Sequence, residues 1–272
     1  DGNQGNNAVT RFVAPGLLKG IYTIGGTNPS FATVAIAAGY ITNWGILDSV
    51  TFHIRPAVYD AQVVIGQIPG STPAKPVIFK ADPATNQAPT ISFTSRYAER
   101  NYVMVLDGTD NAQFNNIIVS ANSSVYGNAI ILRNNTSSLT FDKMEVNIPL
   151  TANGNGISIE STNNAENLII QHSMFNGGDY GVHSSYDTTL AAVNFTLKNS
   201  QFQRTKVGGL HIRNVNSAII SGNTVKPTST AAQGLSVVKA LGNVKITNNV
   251  IIGLKQGNAI AVHEAPGSMM SG

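Results

Sequence analysis

The stretch "GLHIRNVNSAIISGNTV", Gly209 to Val225, alternates apolar and polar residues, bends, alternates again, and places Asn223 just ahead of Val225. Alternation with a period of two marks one buried and one exposed face, so the stretch reads as two short strands joined by a turn. The same arrangement recurs along the chain. An apolar residue, a second position three residues on and an apolar residue two further appear as Phe114/Ile117/Val119, Phe141/Met144/Val146, Ile170/Ser173/Phe175, Leu197/Ser200/Phe202, Ile220/Asn223/Val225 and Ile246/Asn249/Ile251. Successive first members lie 27, 29, 27, 23 and 26 residues apart. Self-similarity at such a period marks a solenoid, and the drift in spacing marks coils whose loops vary in length.

Each unit also carries a second alternating segment, seen in "YVMVLD", "NAIILR", "GISIE", "GVHSS", "GLHIR", "GLSVV" and "NAIAV". Each coil therefore supplies at least two short strands, which stack in parallel on the next coil at about 4.8 Å. The fold expected is all-β, a single-stranded right-handed parallel β-helix. In this reading Leu210, Ile212, Ile220 and Val225 point inward, while His211 and Arg213 point outward. Asn223, matched by Asn249 one coil later, falls at an inward turn. Stacked amides there hydrogen-bond along the axis and satisfy polar groups that water cannot easily reach, a structural ladder.

Composition agrees with one large β-rich domain. Of 272 residues only 11% are charged, well under the roughly 25% of an average domain, while glycine reaches 26 residues. The net charge is +3, and the 17 lysines and arginines are scattered singly, which excludes a nucleic-acid surface. No apolar run has the length of a membrane-spanning helix, so no membrane insertion is expected. With no cysteine there are no disulfides and no thiolate metal sites. No metal or cofactor is expected.

The first hundred residues differ. "GGTNPSFATVAIAAGYITNWGI" opens with a turn signal at Gly25 to Pro29, followed by Phe31, Val34, Ala35, Ala38 and Ile41 at helical spacing. This predicts a short helix near 30–42 that caps the open N-terminal end of the solenoid, where unpaired strand edges invite aggregation. Two alternating strands are expected to flank a turn at Pro56 to Asp60. Residues 1–20 read as a separate segment packing on the solenoid or on a neighbour, and 21–272 as the β-helix. The series "YTIGGTNPSFATVAIAAG…VTFHIRPAVYDAQVVI…PVIF", with coils of the "LDGTDNAQFNNIIV" type, resembles secreted bacterial β-helix proteins of the pectin-lyase-like superfamily over nearly the whole chain. Its opening also resembles that of pectin methylesterases, although their Pro-Gly-x-Tyr-x-Glu turn here reads Pro56, Ala57, Val58, Tyr59, Asp60. The resemblance implies the fold and a secreted, extracellular or cell-surface location. It implies no single chemistry, because the fold carries lyases, hydrolases, esterases, adhesins and tailspikes.

Chemistry has few candidates among 14 carboxylates. A glycosidase needs two of them facing each other at roughly 5–9.5 Å, and a calcium-dependent lyase needs several converging on one cation. The adjacent aspartates that resemble a polygalacturonase are missing, as is the Arg-Pro-Trp run of a pectin methylesterase; Trp44 is the sole tryptophan. Stacking the aligned strands gives one expected outward column of Met104, Ile130, Ser158, His183, His211, Ser236 and Ile260. A neighbouring column holds Leu106, Leu132, Glu160, Ser185, Arg213, Val238 and Val262. His183 and His211 then sit on consecutive coils with Glu160, Ser185 and Arg213 beside them and Asp179 and Asp187 in nearby turns. Such a group acts as acid and base or binds a metal, or is simply a solvated polar patch.

The apolar ends of those columns need covering, by the chain's own segments such as Asn6 to Leu18 or by a partner. "NAIAVHEAPGSMMSG" reads as the first strand of a coil that then stops. Phe12, Val13, Leu17, Leu18, Ile260 and Val262 are the expected assembly residues, joining copies through the β-helix ends into a homo-oligomer or polymer. This reading favours a non-enzymatic extracellular structural or adhesive protein. The alternative is a polysaccharide lyase or glycoside hydrolase working on the histidine face, with a polysaccharide as partner.

Overall fold

One corner of the chain is built the same way in six successive coils. Asn116, Lys143, His172, Asn199, Gly222 and Asn248 have φ of 55°, 54°, 48°, 49°, 69° and 55°, the left-handed region that glycine and asparagine enter most easily. One such residue turns the strand sharply inward, and the apolar markers on either side keep a constant separation through all six coils. A computed structural model describes residues 16–85, 87–160, 165–184, 194–228, 233–240, 242–254, 257–263 and 269–270. In it the chain winds as a right-handed parallel β-helix with three strands per coil, one more than the minimum read from the sequence.

The strands form three sheets. The first has ten strands, from Leu18–Ile24 to Met269–Met270; the second has eight, from Val58–Asp60 to Val250–Ile251; the third has eight, from Val63–Ile65 to Asn258–His263. All of their ladders are parallel, so each residue lies over its counterpart in the previous coil. The interior repeats accordingly. Phe52, Phe79, Phe114 and Phe141 stack face to face with centroids 4.8, 5.4 and 5.3 Å apart, and Phe175 stacks on Phe202 at 5.0 Å.

The helix Val34–Trp44 takes the place that second- and third-sheet strands would occupy in the first coil. It buries Val34, Ala37, Ala38 and Ile41 and packs against the strand Val63–Ile65. It starts later than the expected 30–42 because Phe31 is still extended, bridging to Ile24, and Thr33 is the cap, its Oγ1 accepting from Ile36 N at 3.2 Å. The solenoid itself begins earlier than residue 21, since Leu18–Ile24 already pairs with Ile46–Ile54. Pro56 to Asp60 is more than a turn: Val58–Asp60 is a strand of the second sheet. Tyr59 is buried there, its hydroxyl donating to Arg55 O at 2.9 Å and to Ile24 O at 3.1 Å.

The expected outward columns slip by one residue at both ends. Met104, Ile130 and Leu210 share one inward line with Val63, Ile157, Val182 and Leu235, and Leu106 and Leu132 share the next with Ile65 and Ile159. All four of Met104, Leu106, Ile130 and Leu132 are fully buried. Ile260 stands over Leu235 and Val262 over Val237, so both belong to the inward lines, and His263 lies beyond Val238 in the outward one. The last segment also does not stop after one strand, because Met269–Met270 joins the first sheet beside Val244–Thr247. At the other end Leu18 is buried and Leu17 exposed, while Phe12 and Val13 lie outside the described residues.

Next to the left-handed corner runs a buried polar ladder. Met144 N donates to Ser173 Oγ at 3.1 Å, Ser173 N to Ser200 Oγ at 3.2 Å, Ser200 N to Asn223 Oδ1 at 2.9 Å, and Asn223 N to Asn249 Oδ1 at 3.0 Å. Asn223 Nδ2 donates to Leu197 O and to Asn249 Oδ1, and Asn249 Nδ2 to Ile220 O. Ser173 and Ser200 pin the same corner by donating to Gln171 O and Lys198 O. Asn223 is wholly buried, so its removal strands a backbone donor and a carbonyl. Asn223→Ala is expected to lower stability in equilibrium denaturation by about 2–3 kcal/mol, and Asn249→Ala, at the less buried end of the ladder, by less.

Candidate active site

Four glycines set the geometry of the third sheet's outer face. Gly156, Gly181, Gly209 and Gly234 lie where the chain enters that sheet. A Cβ on them would run into Phe175, Phe202, Val225 and Ile251 respectively, so only glycine lets the backbone close over these core side chains. Two residues after each glycine comes an outward residue: Ser158, His183, His211 and Ser236, aligned in register on consecutive coils. The outward line continues through Val105 and Ile131 on the early coils and Ala261 on the last. Hydroxyls and imidazoles therefore form a short polar segment in a line that is otherwise apolar.

The two imidazoles stack with centroids 5.4 Å apart and planes within 19°. Tyr180 completes the group, its ring 4.9 Å from His183 and 5.6 Å from His211. Register explains the fit: Gly208 lies opposite Tyr180, and its missing side chain leaves room for the phenol ring to reach the next coil. Tyr180 was not singled out from the sequence, yet aligning "YGVH" with "GGLH" would have placed it here.

The pair is held uncharged. Burial lowers the His183 pKa to about 4, helped by His211 and Arg213 and opposed by Asp179. His211 is also lowered, by burial first and Arg213 second. Gln233 lies against His211 closely enough to favour its protonated form. The alignment nevertheless falls short of a hydrogen bond, since His211 Nδ1 and Gln233 Oε1 are both buried without a partner.

The remaining candidates divide. Arg213 follows His211 on the same strand, and its charge acts on both imidazoles. Glu160 follows the third-sheet strand Asn155–Ile159, its N–H donating to Leu132 O at 3.0 Å, and its charge adds a minor contribution to the field at Arg133. Arg133 is itself paired with Asp107 at 2.8 Å. Asp179 is spent on structure: it accepts from Gly154 N at 2.9 Å and pairs with Lys206 at 2.9 Å, while Lys206 also donates to Ala152 O. Ser185 and Asp187 lie outside the described residues. His172 belongs to another surface, where it braces the left-handed corner through Asp142 at 2.8 Å. Among the described residues no group of three His, Cys, Asp or Glu side chains is placed to hold a metal.

The sequence matches no protein-family model and no curated protein. Solved structures do match. A GH136 lacto-N-biosidase from Eubacterium ramulus aligns with TM-scores of 0.66 and 0.65 in its native and selenomethionine forms, at 9% identity over 92% of this chain. The chain spans 56% of that enzyme's length. A pectin methylesterase from Aspergillus niger aligns with a TM-score of 0.50 at 11% identity, over 94% of this chain and 87% of that one. These neighbours correct the expectation of a non-enzymatic structural or adhesive protein, because the architecture is shared with enzymes named for acting on carbohydrates.

Two outcomes are expected. Gly181→Ala, which drives a methyl group into Phe202, should cost about 1–3 kcal/mol and lower Tm. Because the folded pKa of His183 lies below that of the unfolded chain, the unfolded state binds more protons between them. Stability should therefore fall as pH drops from about 6.5 to about 4, and His183→Phe should flatten that part of the Tm–pH curve.

Proposed function

We propose that the protein is a glycan-cleaving enzyme of the pectin-lyase-like fold, acting outside the cell on a polysaccharide laid across the outer face of the third sheet. The observation that carries this reading is the pair of stacked, uncharged imidazoles beside Arg213. Among the described residues, hydrolysis by paired carboxylates is poorly supplied, since Asp179 is locked by Lys206. Elimination needs a neutral base and a cation near the carboxylate of a uronate, and both are present.

In that chemistry His211 is the base. Its Nδ1 is buried without a partner, so the tautomer protonated at Nδ1 offers the Nε2 lone pair as the base. Nε2 takes the proton α to the substrate carboxylate, whose charge Arg213 stabilises as it spreads onto the carboxylate oxygens. The electron pair forms a carbon–carbon double bond, the bond to the glycosidic oxygen breaks, and the departing oxygen recovers a proton from the imidazolium or from water. His183 and Tyr180 keep the base desolvated and oriented. A second reading, hydrolysis with Glu160 as the acid, draws on the likeness to the lacto-N-biosidase.

A panel of polyuronates and neutral glycans separates the readings. Elimination yields new reducing ends together with an ultraviolet-absorbing unsaturated product, and hydrolysis yields reducing ends alone. For elimination, His211→Ala should lower kcat about 10²–10⁴-fold. The acid limb of kcat/KM should fall below the ordinary histidine value of about 6.5, because the folded His211 stays neutral at lower pH. Absence of cleavage on every glycan would sink the proposal.

A further inference from the structure

A second polar site lies on the early coils. The segment between the strands Thr90–Phe93 and Met104–Asp107 folds back over the corner of the second and third sheets. It walls a cleft of about 450 Å³ with Asp60, Gln62, Phe93, Arg96, Tyr97 and Arg100. That volume suits a small ligand. The wall is fixed from beneath: Ser95 Oγ donates to Arg100 O at 2.6 Å and to Tyr97 O at 3.2 Å. Gln62 Nε2 donates to Arg100 O at 3.0 Å and to Tyr102 O at 2.9 Å. On this braced segment Tyr97 is 61% exposed. Among the described residues neither Arg96 nor Arg100 takes part in a salt bridge.

We infer that this cleft binds an anionic sugar unit, its ring on the face of Tyr97 and its carboxylate or sulfate ester between Arg96 and Arg100. A large exposed aromatic ring on a loop held by its own backbone is a poor contributor to folding and a good platform for the C–H face of a pyranose. Two guanidinium groups with a single carboxylate, Asp60, leave the cleft net positive. A planar or tetrahedral oxyanion satisfies their forked donors, and Asp60 and Gln62 are left to take sugar hydroxyls. The cleft and the histidine pair are separate. The strands Met104–Asp107, Ile130–Arg133, Asn155–Ile159 and Tyr180–Ser184 are successive neighbours, so His183 lies three coils, about 14 Å, along the axis. The cleft thus anchors a glycan beyond the point of cleavage, whether cleavage proceeds by elimination or by hydrolysis.

Titration calorimetry on the full chain carrying His183→Ala and His211→Ala removes turnover from the measurement. The probes are a uronate trisaccharide, a sulfated galactose trisaccharide and a neutral trisaccharide. The inference requires that at least one anionic probe bind tenfold or more tightly than the neutral one. It also requires that Arg96→Ala with Arg100→Ala weaken that binding at least tenfold, that Tyr97→Ala weaken it several-fold, and that added salt weaken it further. Which anion binds distinguishes carboxylate from sulfate recognition. Equal binding of charged and neutral probes, or binding that survives the double arginine substitution in a variant of unchanged Tm, overturns it. Anionic binding at this cleft in a protein that cleaves nothing would leave this site standing and remove the catalytic one.

Discussion

In-register parallel pairing between coils is the constraint on which everything else depends. Because each backbone ladder fixes a residue over its counterpart in the neighbouring coil, any side chain chosen once is repeated as a line: phenylalanines within the first sheet, serine and asparagine along the tight corner, histidine on the third sheet. The stacking rewards identical neighbours whose shapes nest and whose polar groups bond along the axis. It also punishes exceptions, which is why a polar residue that enters the interior at Ser173 is followed by polar partners through Asn249.

The sequence made the solenoid legible because that corner is both constant and asymmetric: a half-buried residue, a left-handed one, then an inward one. Register on the third sheet was legible only in part. On the histidine coils a glycine precedes each inward residue, and the alignment of His183 with His211 follows from it. On the early coils Ala129 and Val103 replace the glycine, and the runs Met104-Val105-Leu106 and Ile130-Ile131-Leu132 are apolar on both faces. Val105 and Ile131 point outward and are nonetheless buried, so alternation carries no signal there and a one-residue slip goes unnoticed. Ala259 hides the last coil in the same way. The third strand of each coil, often only three residues long, was too short to show alternation.

The candidate site was partly visible for the same reason. His183, His211 and Arg213 are brought together, whereas Asp179 is near in sequence terms but engaged by Lys206, since a list of outward residues carries no information about which salt bridges they form. Tyr180 and Gln233 matter because they lie three residues ahead of His183 and Ser236 on their strands, where they enclose the imidazoles and remove them from water. The chemistry of the face is set by that enclosure more than by the histidines themselves, as their lowered basicity shows.

The constancy of the tight corner has a further consequence for how such a protein diversifies. From Phe114, Phe141, Ile170, Leu197, Ile220 and Ile246 the count to the apolar marker of the second sheet (Val119, Val146, Phe175, Phe202, Val225 and Ile251) never varies, so the whole drift in coil length is absorbed on the two flanks of the third sheet. The solenoid thereby separates an invariant spine from an interchangeable rim. Segments bordering the histidine face can be lengthened, shortened or exchanged between relatives at little entropic cost and without disturbing the stacked interior, so ligand preference can drift while the architecture stays fixed.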